Sequence, residues 1–85
     1  MISSRPFSAV EVAWIAKILG VINEVDLEQL RRGMTVELEH GRRDPLTDVT
    51  GDDPLLTAKI AIAHLREIPD YYDRLARMEG EDAHA

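Results

Sequence analysis

The sequence predicts an all-α fold, a compact bundle of about four helices with one long ordered loop between helices 2 and 3. Two observations predict it. Apolar residues recur at three- and four-residue spacing in several segments, and residues typical of helix N-caps precede these segments. The 85 residues, 45% of them hydrophobic, suffice for one core. We therefore expect a flexible N-terminus (1–6), a single helical domain (7–79) and a disordered acidic tail (80–85).

The first helix has a marked beginning and end. Ser8 and Glu11 have the spacing of a capping box, and Phe7 and Val12 flank it as a hydrophobic staple. Gly20 follows the last apolar residue and is suited to a C-terminal cap. Both ends of this helix are therefore predicted from local sequence.

Trp14 stands apart from the apolar stripe of this helix. The stripe consists of Val12, Ile15, Ala16 and Leu19, whereas Trp14 falls beside Val10 and Ile18. Because so small a domain needs its aromatic residues inside, we favour core packing of Trp14 over a role as a partner-binding anchor.

The second helix also has a predicted N-cap and a predicted end. Asp26 is the expected N-cap, Gln29 stands three residues later, and Gly41 is the expected stop. Glu28 is one turn before Arg32, a favourable spacing for an ion pair. The apolar stripe comprises Leu27, Leu30, Met34 and Leu38.

A loop of about a dozen residues, 41–53, follows the second helix. It is rich in turn-forming residues, and so long a loop is unusual in a small domain. Two explanations stay open and are compatible. Thr47, Asp48 and Thr50 could order the loop through side-chain to backbone hydrogen bonds, or the loop could be a functional surface.

Asp53 and Pro54 predict the beginning of a third helix, and Pro69 predicts its end. The third helix is apolar around most of its circumference, which favours a central position in the bundle. A fourth helix is expected after Pro69. Its predicted inward residues are Tyr71, Leu75 and Met78, and its predicted ion pairs are Asp70–Arg74 and Asp73–Arg77.

Composition narrows the classes of function. The net charge of −6 disfavours nucleic-acid binding, because phosphate backbones attract basic surfaces. With no cysteine, disulfides, thiolate metal sites and cysteine nucleophiles are excluded. No apolar run reaches the roughly 20 residues of a membrane span, and no secretion signal is recognisable. We expect a cytoplasmic protein without a membrane segment.

Four residues could form a metal site. Glu37 and His40 are three residues apart on the second helix, and His64 and Glu67 are three apart on the third, so each pair shares a helix face. Zinc or iron would suit such ligands. The alternative is structural: His40 opposes the negative end of its helix, and His64 is a largely buried histidine bonded to a carboxylate or a tyrosine.

Several sequence strings resemble a known family. They are VELEHG, DVTGDDP, TAKIAIAHL and PDYYDRL, with FSAVEVAWIAKILG and LEQLRRGM in the first half. On these strings the chain resembles the DUF5661 family of uncharacterised small helical proteins from bacteria and phages. The resemblance covers nearly all of 7–78 and implies a helical fold, but it carries no assigned activity.

The function that follows is a small protein-interaction or regulatory module, with divalent metal binding as the alternative. Its expected binding residues are Arg42, Arg43, Asp48 and Tyr72, on the loop and the surface beside it. Catalysis is disfavoured, because the chain has no nucleophile elbow and no phosphate-binding glycine loop. We expect a protein partner, and self-association stays open because the core is small.

Overall fold

The computed structural model describes the backbone of residues 7–84 and the side chains of residues 7–80. It contains four helices: α1 (Ala9–Ile18), α2 (Leu27–Arg43), α3 (Pro54–Glu67) and α4 (Tyr71–His84). The predicted all-α fold is confirmed. The predicted flexible segment 1–6 lies outside the described residues. Helix α4 continues past Glu79, the last residue of the predicted domain, to His84, and the domain boundaries stay a prediction.

Helix α1 is fixed at both ends by the predicted caps. The Glu11 amide donates to Ser8 Oγ at 3.1 Å, and the Ser8 amide donates to Glu11 Oε1 at 2.8 Å. At the other end Gly20 adopts φ +75°, and the Val21 amide donates to the carbonyl of Ala16. This is a Schellman motif, which favours glycine because its φ is positive. Helix α1 is therefore a short helix with well-defined ends.

Helix α2 packs against each of the other three helices. Helix α3 also has several neighbours, as predicted: it packs on α1 and α2 and contacts α4 where His64 stacks on Tyr71. Two buried glycines on α2 let neighbouring groups approach the helix backbone closely. A β-carbon on Gly33 would lie 2.3 Å from Tyr72 Cε2, and one on Gly41 would lie 2.7 Å from Asp48 Oδ1.

The sequence predicts that Gly41 ends α2, but Gly41 lies within the helix. The helix continues to Arg43, and Asp44 is its C-cap. The connecting loop is consequently shorter than predicted and spans residues 44–53. It is ordered through Asp48, whose Oδ1 accepts bonds from the amides of Thr50 at 3.2 Å and Gly51 at 2.9 Å.

Helix α3 begins as predicted, with Asp53 as N-cap and Pro54 in the first turn. Its C-cap is Ile68, immediately before Pro69. The core lies between α1, α2 and α3, with one tyrosine added from α4. Its buried apolar residues are Val12, Ile15, Ala16, Val21, Leu30, Met34, Ala58, Ala61, Ile62, Leu65 and Tyr72.

The predicted inward face of α4 is confirmed in part. Tyr71 and Leu75 are partly buried against the core, but Met78 is 58% exposed, and the most deeply buried residue of the helix is Tyr72. An ion pair between Arg32 and Asp73 joins α4 to α2, so Arg32 is not the partner of Glu28. Glu28 pairs with Arg31 instead. The predicted Asp70–Arg74 pair is present, with Nε 2.8 Å from Oδ1.

Candidate functional sites

The predicted metal ligands meet only in part, around the carboxylate of Glu37 on α2. Glu37 Oε2 lies 3.5 Å from His64 Nε2 on α3, and Glu37 Oε1 lies 3.9 Å from His40 Nδ1. The hydroxyl of Tyr72 donates to Glu37 Oε2 at 2.8 Å. Helices α2, α3 and α4 thus each contribute to one polar cluster, which we call the Glu37 cluster (Glu37, His40, His64, Tyr71 and Tyr72).

Aromatic stacking fixes the position of His64 in this cluster. Its ring is parallel to that of Tyr71, with centroids 4.5 Å apart and planes at 5°. The two tyrosine rings meet edge to face, with centroids 4.9 Å apart. Contact with a carboxylate and a tyrosine is what the structural alternative expects of His64, although the residue is half-buried and not largely buried.

Burial raises the pKa of the Tyr72 hydroxyl well above its ordinary value, and the hydrogen bond to Glu37 adds to this effect. Tyr72 therefore stays protonated and donates to Glu37 throughout the neutral range. A phenol held in this way cannot act as a base at neutral pH. Its contribution is to orient the carboxylate.

The fourth predicted ligand, Glu67, is exposed at the last residue of α3. Within the described part of the chain, no group of three or more His, Cys, Asp or Glu residues is arranged to hold a metal ion. A cavity of about 250 Å³ lies beside the Glu37 cluster. It is lined by Glu37, His40, Gly41, Thr47, Val49, Thr50 and Ile60.

The four predicted binding residues do not share one accessible surface. Tyr72 is 2% exposed, so its side chain belongs to the core. Asp48 is half-buried and directs its carboxylate to loop amides. Arg42 and Arg43 are exposed at the end of α2, and Arg42 Nε donates to Asp52 Oδ1 at 3.1 Å. On the surface of the loop 44–53, which we call the loop surface, Leu46 is 91% exposed.

The outer face of α1 is an exposed apolar surface, which agrees with the less favoured interpretation of Trp14 as a partner-binding anchor. Val10, Trp14 and Ile18 are 70%, 64% and 61% exposed. Because they are spaced by four residues, they form one continuous row along the helix, which we call the α1 ridge. The expectation that Trp14 packs in the core is wrong. The available signal was the spacing itself, since the capped inner stripe already supplies the core face of α1.

No helix within residues 7–84 is both long and apolar enough to cross a bilayer. No curated protein and no solved structure matches the chain. The family described as a protein of unknown function (DUF5661) matches residues 8–81, which includes all four helices apart from the end of α4. The chain therefore belongs to the DUF5661 family.

Proposed function

We propose that this domain is a cytoplasmic protein-interaction module that binds its partner through the α1 ridge. The observation that carries the proposal is the exposure of Trp14, the single tryptophan of the chain, between two exposed branched aliphatic residues. Tryptophan is among the residues that contribute most to protein interfaces, particularly at their centre. Single exposed apolar residues are ordinary, but a continuous row is typical of an interaction surface.

The construction of α1 supports this role. Val12 and Ala16 on its inner face are fully buried, and the caps at Ser8 and Gly20 hold both ends. The ridge is therefore carried by a helix whose position is already set by the core. A preorganised surface loses little conformational entropy when it binds, which favours affinity.

The loop surface is a second contact region in this proposal, as the sequence predicts. Leu46 and Val49 are 91% and 73% exposed, and Arg43, the last residue of α2 before the loop, is also exposed. Because Asp48 organises the loop, replacing it would disturb the loop as well as any contact. Arg43→Ser with Leu46→Ser is the appropriate test of a loop contact, and it leaves Asp48 intact.

Site-specific photo-crosslinking in the cells that naturally contain the protein tests the proposal. A photoreactive residue at Ile18 should give a discrete crosslinked product, and Trp14→Ser should abolish that product. The matched control is a photoreactive residue at Lys59, an exposed position on α3. An equal yield from position 59, or a product insensitive to Trp14→Ser, would contradict an interface on α1.

Divalent metal binding by Glu37, His40 and His64, with Glu67, stays the alternative hypothesis. Glu37 between two imidazoles is the arrangement in its favour. Its test is thermal unfolding with added zinc or iron. Metal binding predicts a rise in Tm that His64→Ala removes, and an unchanged Tm with both metals would reject the hypothesis.

A further inference from the structure

We infer that the partner of the α1 ridge is a second copy of this chain, so that the domain forms a two-fold symmetric dimer through α1. The inference rests on the interaction surface proposed above and names its occupant. It comes from two properties of the outer face of α1: the order of residues along the ridge and the distribution of charge on its two flanks.

The ridge has the symmetry that a two-fold contact needs. Trp14 is at its centre, with Val10 one turn before and Ile18 one turn after. Rows of residues spaced by four are the elements that interlock when two helices cross at about −50°, the commonest packing class. If two ridges lie side by side in the same direction, like residues meet, and the two indole rings lie at the crossing point. Offset or edge-to-face contact between such rings is favourable.

The flanking charges complement each other in this arrangement. At about 100° per residue, Glu11 projects roughly 60° to one side of Trp14 and Lys17 roughly 60° to the other. Both residues are exposed. A two-fold axis along the ridge exchanges the flanks, so Glu11 of each copy faces Lys17 of the other. The opposite register, with Val10 against Ile18 of the second copy, would set Glu11 against Glu11 and Lys17 against Lys17.

Two effects oppose dimerisation through the α1 ridge and limit its affinity. Each chain carries a net charge of −6, so two copies repel each other. The ridge is also small beside the roughly 800 Å² per partner of a standard stable interface. The result is a weak, reversible dimer, and measurements must therefore extend to high protein concentration.

Sedimentation equilibrium of the full chain over a wide concentration range measures this dimer. Trp14→Ala should weaken dimerisation by about tenfold or more, as expected for a central tryptophan. The matched control is Met78→Ala, which removes an exposed apolar side chain from α4 and should leave the dimerisation constant unchanged. A monomer at every concentration, or equal effects of the two variants, would overturn the inference.

Charge reversal tests the arrangement. Glu11→Lys alone sets lysine against lysine at both contacts, and Lys17→Glu alone sets glutamate against glutamate, so each variant should dimerise less than the parent. The two variants mixed in equal amounts restore opposite charges at both contacts and should form a heterodimer. Glu11→Lys also removes a helix cap, so circular dichroism must first establish that it is folded. Failure of the mixture to associate better than either variant would contradict the pairing.

A single cysteine reports the register, because the chain has none of its own. With Ile18→Cys, a short thiol crosslinker should join two copies if the ridges run in the same direction. Efficient linkage only between Ile18→Cys and Val10→Cys would reject this register. If the chain is monomeric while position 18 still crosslinks to a different protein, the second copy is the wrong occupant and the interaction module stands. If neither association is found, both proposals fail.

Discussion

Replacing Gly33 by alanine tests how closely α4 packs on α2. The added β-carbon would lie 2.3 Å from Tyr72 Cε2 and 2.8 Å from Cζ, well inside carbon contact distance. The buried ring cannot turn away without breaking the 2.8 Å hydrogen bond from its hydroxyl to Glu37. Overpacking costs about 1–3 kcal/mol, whereas alanine gains about 1 kcal/mol over glycine inside a helix. The two terms leave a net loss of about 0–2 kcal/mol. Because three atoms of the buried ring lie within 3 Å of the added β-carbon, we expect the upper half of that range, a fall of about 1–2 kcal/mol in the free energy of unfolding.

For a domain of this size, that loss lowers Tm by roughly 4–16 °C, which thermal unfolding followed by far-ultraviolet circular dichroism can measure. Gly80→Ala is the matched control, because it is also helical but a β-carbon there meets nothing within 4 Å. It should leave Tm unchanged or raise it slightly, since alanine is the better helix former. A Gly33→Ala protein as stable as the parent would refute the close contact between Gly33 and Tyr72.

Three further predictions follow from individual contacts. Asp48→Ala removes the acceptor of two loop amides and should cost about 1–3 kcal/mol in urea unfolding, whereas Asp48→Asn keeps the acceptor oxygen and should cost much less. Tyr72→Phe should lower stability by about 1–3 kcal/mol, because it leaves the mostly buried Glu37 carboxylate without its donor; full stability in urea would count against that bond. The hydrogen bond from Arg66 lowers the pKa of Glu24 in the folded protein. The ion pair therefore stabilises the fold fully above pH 4.5, the ordinary pKa of glutamate, and this stabilisation is lost as the pH falls through the lower pKa of Glu24 in the folded protein. Glu24→Gln should therefore make Tm less dependent on pH in this acid range, and an unchanged Tm profile would argue against the pair.

Local sequence signals predicted the ends of most helices. Ser8, Asp26 and Asp53 each cap the helix expected of them, because an N-cap depends on a side chain and amides two or three residues away. The same applies to Gly20, whose φ is positive. Such contacts are encoded within a few residues, so they can be derived without knowledge of the neighbouring helices.

Contacts between helices were harder to predict. Gly41 has the position of a helix stop, yet it is buried inside α2 because the Asp48 carboxylate needs the space that a β-carbon would fill. Tyr72 is buried in preference to Tyr71 because Gly33 leaves room for its ring. Spacing along one helix identifies a face, but the partner of that face depends on residues far away in the sequence.

In the Glu37 cluster, too, the contact within one helix is predictable from the sequence and the contact between helices is not. The pairing of Glu37 with His40 follows from their spacing on one helix, whereas the approach of His64 to Glu37 depends on how α3 packs against α2. The expectation of a buried Trp14 follows from the general need of a small domain for aromatic residues in its core. The exposure of Trp14 follows from the orientation of α1, whose capped inner face already contributes Val12 and Ala16 to the core.

Acrylamide quenching of tryptophan fluorescence tests the central claim most directly, because Trp14 is the only tryptophan in the chain. In dilute solution, where a weak dimer dissociates, an indole that is 64% exposed should be quenched nearly as efficiently in the folded domain as in urea-unfolded protein. Strong protection of the folded protein at the same dilution would place Trp14 in the core and contradict an interaction surface on α1.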